Sequence, residues 1–141
     1  MKFIVTGKLR GKGRPRFTRS GIAYTPKETT EYEKRVKYEY LKSNGQYFDA
    51  DSIEIYITAY YKIPKSANKA LRDDMEKNIV SPNNKTPDID NIVKIVLDGL
   101  NGVAYKDDKQ VCKIVSTKMF SYDERLEIGV YKYFPYGVSN E

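Results

Sequence analysis

The 141-residue chain has no histidine and a single cysteine, Cys112. The missing histidine removes Ser-His and Cys-His catalysis and every His-ligated metal site. A lone cysteine rules out an intrachain disulfide and a Cys-rich zinc site, and it fits a reducing cytoplasm. No run approaches the ~18 apolar residues of a membrane span. The opening "MKFIVTGKLRGKGRPR" has neither a long apolar core nor a cleavage-like site, so no signal peptide is expected. Internal repeats and low-complexity tracts are absent too. Any catalysis must therefore draw on carboxylates, lysine, arginine, tyrosine or hydroxyls.

Acid is missing from the first part of the chain. Residues 1–27 hold eight basic side chains (Lys2, Lys8, Arg10, Lys12, Arg14, Arg16, Arg19 and Lys27) and no Asp or Glu, whereas the rest holds 17 basic and 19 acidic residues. The positive field is N-terminal, and such a patch favours a polyanion, nucleic acid first. At this length one domain, residues 1–141, is expected, with enough chain for a core without disulfide or metal staples.

The pattern alternates between strands and helices. "MKFIVTGKL" reads as a strand and "RGKGRPRFTRSGIAYTP" as a loop or short hairpin. A helix should start at Thr25-Pro26, with Thr25 as its cap, and bury Tyr32, Val36, Tyr40 and Leu41. "SIEIYITAYYKI" alternates with period two, placing Ile53, Ile55, Ile57, Ala59, Tyr61 and Ile63 on one face. "SANKALRDDMEKNIV" suggests a helix capped by Ser66, "DNIVKIVLDGL" a helix capped by Asp90, and "QVCKIVSTKMF" and "RLEIGVYKYF" two strands joined by "SYDE". The expected fold is α+β: one domain with a mixed or antiparallel sheet and helices packed on it.

Five aspartates fall between residues 88 and 108. The helix there is amphipathic: Ile92, Val93, Val96, Leu97 and Leu100 form an apolar stripe opposite Asn91, Lys94, Asp98 and Asn101. Capping by Asp90 and i,i+4 pairing of Lys94 with Asp90 and Asp98 would account for some of the charge. Neither explains Asp88 or the adjacent Asp107-Asp108. A hard dication such as Mg²⁺ or Mn²⁺ would explain them, since it prefers a few carboxylates plus water. Asp88 and Asp90 would supply two ligands and Asp107 or Asp108 the third, with Lys94 neutralising phosphate charge. An EF-hand is excluded, because the positions that need Gly and Glu, counted from Asp88, are Val93 and Gly99. In the basic segment, Arg10, Lys12, Arg14, Arg16 and Arg19 are candidate phosphate contacts, with Lys65 and Lys69 as further ones. Phe17 and Tyr24 could stack on unpaired bases, although tyrosines at strand positions more often pack in a core or along an edge.

"PDIDNIVKIVLDGLNG" followed by "DDKQV" resembles the signature of the RusA family of Holliday junction resolvases, and "KGRPRF" and "YTP" resemble that family's opening segment. The similarity runs from about residue 7 to residue 115. It implies a RusA-like fold and a bacterial or phage-encoded, cytoplasmic homodimer. It also implies a Mg²⁺-dependent endodeoxyribonuclease that makes paired cuts in four-way DNA junctions, in recombination and repair, without an organic cofactor. Asp88, Asp90 and Asp108 match the family's metal-binding aspartates, and Lys94 its active-site lysine. Asp107 and Asn91 would stand beside the metal. Thr86 departs from the pattern, standing where many members have lysine. Two other functions fit the residues: a nuclease for flaps, forks or RNA, and a non-catalytic DNA-binding protein whose acids are caps and salt bridges.

Overall fold

The computed structural model describes residues 1–136; residues 137–141 of the expected domain lie outside it. In chain order the elements are β1 (Lys2–Thr6), β2 (Arg16–Phe17), β3 (Ala23–Tyr24), α1 (Lys27–Lys42), β4 (Ile53–Lys62), α2 (Lys69–Glu76), α3 (Ile89–Leu100), β5 (Val111–Ser121) and β6 (Arg125–Lys132). A single 3-10 turn, Asp108–Gln110, leads into β5. The fold is α+β with a mixed sheet, as expected.

The strand with the clearest alternation, β4, sits inside the four-stranded sheet, whose order is β1-β6-β4-β5. Its inward residues Ile53, Ile55, Ile57, Ala59 and Tyr61 are all buried. β4 runs antiparallel to β6, with Ile57 opposite Ile128, and parallel to β5, with Ile55 opposite Ile114. β5 and β6 are joined by a short turn, yet β4 lies between them. The parallel pairing of β4 with β5 needs a long crossover, and α2 and α3 supply it. β2 and β3 form a separate two-stranded hairpin.

One face of the sheet is covered by α1, through Tyr32, Val36 and Tyr40, and by α3, through Ile92, Ile95, Val96 and Leu100. Several local expectations are corrected. Leu41 is exposed, because it lies one helical step round from the i, i+4, i+8 stripe that Tyr40 completes. The N-cap of α1 is Pro26, with no side-chain cap from Thr25. The cap of α2 is Asn68, whose Oδ1 accepts the Leu71 N–H at 2.9 Å. That helix ends well short of Val80, since Asn78 turns left-handed (φ 53°) and its Oδ1 accepts the Phe120 N–H of β5 at 2.8 Å. In α3 the buried stripe uses Ile95 and leaves Val93 and Leu97 half-buried.

Candidate active site

The helix carrying the aspartates begins earlier than expected. Asp88, not Asp90, is its N-cap, and the Asp88 carbonyl accepts the Ile92 N–H at 3.1 Å. Asp90 stands in the first turn, where a negative charge favours the positive end of the helix dipole. The Asp88 side chain makes no capping bond. Neither i,i+4 pair forms: among the described residues Lys94 has no acidic partner within 4 Å, and Asp98 pairs instead with Lys12.

The approach to Asp88 is tied to the sheet. The Thr86-Pro87 peptide is cis, the Tyr61 hydroxyl of β4 donates to the Pro87 carbonyl, and Lys118 Nζ of β5 donates to the Lys85 carbonyl at 2.7 Å. Lys118 also stands over the Tyr61 ring, 4.8 Å from its centroid. Burial first, then the nearby Asp88 and Glu124 charges, push the Tyr61 hydroxyl up to about 12, so it remains a proton donor at neutral pH.

The β1–β2 loop closes over the start of α3, and two glycines allow it. Lys12 N–H donates to the Asn91 carbonyl at 2.9 Å, and Gly13 N–H to Thr29 Oγ1 at 3.0 Å. A Cβ on Gly11 would lie 2.8 Å from Pro87 Cβ and 2.9 Å from Asn91 Cβ; one on Gly13 would lie 2.8 Å from Thr29 Oγ1. Only a residue without a side chain permits that approach. Lys12 then reaches between the helices, 2.6 Å from Glu33 Oε1 on α1 and 2.9 Å from Asp98 Oδ2 on α3. Burial works against its ammonium, but the bonds to Glu33 and Asp98 outweigh it and raise the Lys12 pKa.

Beneath this loop lies a cavity of about 690 Å³. Asp88, Asp90, Asp98 and Asp108 border it together with Lys12, Arg14, Asn91 and Lys94. The two halves of the acidic motif, far apart along the chain, thus meet at one opening. Asp98, which faces the cavity from the same helix side as Lys94, was not among the expected site residues; its i,i+4 spacing from Lys94 was the available signal. Asp107 does not border the cavity. It caps the 3-10 turn, its Oδ1 accepting the Lys109 N–H at 2.8 Å in a reciprocal capping box with Gln110. Gln110 in turn donates to the Phe48 and Asp51 carbonyls at 3.0 and 3.1 Å. The adjacent aspartates therefore divide their duties: one fixes the turn and the other faces the opening.

Arg10, Arg14 and Arg16 border a second cavity of about 660 Å³ with Lys8 and Thr86; Gly13, Arg14 and Pro15 form the wall it shares with the acidic one. Arg19 lies at the tip of the β2–β3 hairpin, and Lys65 and Lys69 lie at the approach to α2; all three are exposed and border neither cavity.

The donor set suits a hard dication. The acidic side chains there offer only oxygen donors, and the Asp108 carboxyl pKa is raised by desolvation first, then by Asp107 through charge and hydrogen bond, then by Asp98, with the nearby Lys109 charge offsetting only part of this. Among the described residues no three acidic side chains are drawn together tightly enough to hold an ion unaided. A cation there would complete its shell with water and substrate oxygen, as Mg²⁺ commonly does. No helix among the described residues is long and apolar enough to cross a membrane.

Comparison with known proteins agrees with the motif. The family described as Endodeoxyribonuclease RusA matches residues 6–131. The uncharacterized protein YqaN of Bacillus subtilis (strain 168) is 31% identical over 133 residues, covering 91% of this chain and 93% of the relative. The family match takes in the basic loop, the cavity it covers and, of the sheet, β4, β5 and all but the last residue of β6: the chain belongs to the RusA family of endodeoxyribonucleases.

Proposed function

We propose that this protein is a Mg²⁺-dependent endonuclease that hydrolyses phosphodiester bonds in four-way DNA junctions. The observation that carries the reading is the shared opening of Asp88, Asp90 and Asp108 beneath a basic loop. Those three carboxylates would hold Mg²⁺, with Mn²⁺ as a substitute. When bound, the ion lowers the pKa of a coordinated water and offsets charge on the phosphate.

The chain's own groups do the rest. Lys94, exposed and without an acidic partner among the described residues, offers its ammonium to the scissile phosphate. Asn91 offers an amide to a phosphate oxygen or a water. Lys12 neutralises Asp98, so that the fourth carboxylate repels the substrate less. Arg10, Arg14 and Arg16 hold the neighbouring backbone through phosphate contacts that need no metal. A two-fold dimer would present two such sites to the near-two-fold arms of a junction; sedimentation of the free protein tests that point.

The deciding experiment is a cleavage panel: labelled four-way junction, flap, fork, duplex and RNA, each with Mg²⁺, Mn²⁺ or EDTA. Paired junction cuts that require a divalent cation support the proposal. Cutting of flaps, forks or RNA in preference to junctions moves the protein to another specificity. No cutting of any substrate defeats the enzyme reading in favour of a DNA-binding protein.

A further inference from the structure

The β2–β3 hairpin leaves its apolar side chains out of the core: Phe17 is 69%, Ile22 64% and Tyr24 47% exposed. The hairpin is nevertheless well formed. Thr18 N–H donates to the Ile22 carbonyl at 2.9 Å, Gly21 N–H to the Thr18 carbonyl at 2.9 Å, and Ile22 N–H to Thr18 Oγ1 at 3.1 Å. Thr18 and Ser20 also bond to each other. The bonds of Thr18, Ser20, Gly21 and Ile22 all close within the hairpin, and Gly21 makes the left-handed turn at φ +82°.

The register determines which residues share a face. Arg16 lies opposite Tyr24 and Phe17 opposite Ala23. Side chains alternate along a strand, so Ile22 and Tyr24 share one face with Arg16, and Phe17 and Ala23 occupy the other. The hairpin is a thin blade, apolar on both sides and exposed on both. An arm that docked on a protein surface would need one apolar face and leave the other wet. A two-sided blade suits a partner that surrounds it with flat apolar surfaces, and its setting selects which one. Residues 1–27 carry no acid, and Arg16 and Arg19 lie on the blade itself. Arg16 borders the basic cavity, and the preceding Pro15 borders both cavities.

We propose that the β2–β3 hairpin is a wedge for unpaired DNA bases, with Phe17 stacking on one side and Tyr24 on the other while the arginines hold the flanking phosphates. The proposal deepens the reading of the protein as a nuclease of branched DNA: the wedge recognises the place where base pairing stops, beside the acidic cavity.

The test does not depend on cleavage. A short single strand carrying 2-aminopurine, and the same strand in a full duplex, are titrated in EDTA with the wild-type protein and with Phe17→Ala, Tyr24→Ala and the double variant; thermal melts verify folding. Expected are a change in 2-aminopurine fluorescence with wild type that the double variant loses, and single-strand affinity weakened by about tenfold per aromatic residue removed. Duplex affinity should stay within about twofold, since paired bases offer no stacking face. Unchanged single-strand binding, equal losses on both probes, or a dimer that the double variant converts to monomer would each overturn the wedge, the last by making the hairpin a subunit contact. A protein that cuts no junction yet still stacks 2-aminopurine through Phe17 and Tyr24 defeats the nuclease reading and keeps the wedge. One that cuts junctions while the aromatic residues prove indifferent does the reverse.

Discussion

The Lys12 ammonium lies 2.9 Å from the Asp98 carboxylate, and its other partner is Glu33 at 2.6 Å. A residue from the basic segment thus bridges the two helices that cover the sheet and fixes the loop over the acidic cavity. Its charge is spent inside the protein, which separates it from Arg10, Arg14 and Arg16.

Lys12→Met should therefore act on structure first. The side chains of Lys12, Glu33 and Asp98 are 26%, 21% and 35% exposed, between a surface pair and a buried one. The loss is expected to be about 1–2 kcal/mol of stability. Thermal melts measure it, and Lys12→Arg should recover most of it. Because the variant also frees the Asp98 charge, its KM for DNA should rise more than its kcat falls.

The neighbouring aspartates should separate cleanly. Asp108→Asn and Asp88→Asn are expected to lower cleavage by at least about 100-fold, with junction binding in EDTA retained. Asp107→Ala should instead cost about 1 kcal/mol of stability through the lost cap, with cutting preserved at a temperature where the variant is folded. Gel-based cleavage and binding assays on the three variants distinguish the roles.

The raised pKa of Asp108 has a definite sign. The folded state holds that proton to higher pH than the unfolded chain does. Stability is thus lost as pH rises from the ordinary carboxylate pKa of about 4 to the higher folded value, and the penalty is complete above it. Metal-free Asp108→Asn should melt higher than wild type at pH 7, with the difference vanishing near pH 3. Added Mg²⁺ should raise the wild-type Tm more than that of the variant. Melts in EDTA and in Mg²⁺ across pH read both effects.

Gly11→Ala places a Cβ 2.8 Å from Pro87 and 2.9 Å from Asn91. The loop must lift, at an expected cost of about 1–3 kcal/mol. Since the same loop carries Arg10, Arg14 and Arg16, DNA affinity should fall with it. The salt slope should flatten by roughly one counterion for each phosphate that the arginines no longer neutralise. Gly21→Ala, at a hairpin turn with nothing within 4 Å, strains its own turn and should leave the loop over the cavity in place.

Much of this architecture was legible in the residues, and what was missed has a common cause. The alternation of β4 and the apolar stripe of α3 are local patterns, and both were readable. The Asp-x-Asp-Asn-x-x-Lys run and the double aspartate carried the family. The pairing of Lys12 with Glu33 and Asp98 was not readable, because it joins three elements that are brought together only when the sheet forms. Nor was the insertion of β4 between β5 and β6, since the short link between those strands suggests neighbours. The capping differences at Thr25, Ser66 and Asp90 are shifts of one or two residues, made where several side chains compete for one helix end.

Asp88 and Asp90 enter the cavity at the start of α3, and Asp108 enters just before β5, each held by its own ties to the sheet. The chain from Pro64 to Lys85, which includes α2, contributes none of the side chains that border that opening. Away from the ties of Asn78 and Lys85 to β5, that excursion is a stretch where residues can be added or removed without touching the acids, so relatives are expected to differ in length there and to keep the spacing on either side of it.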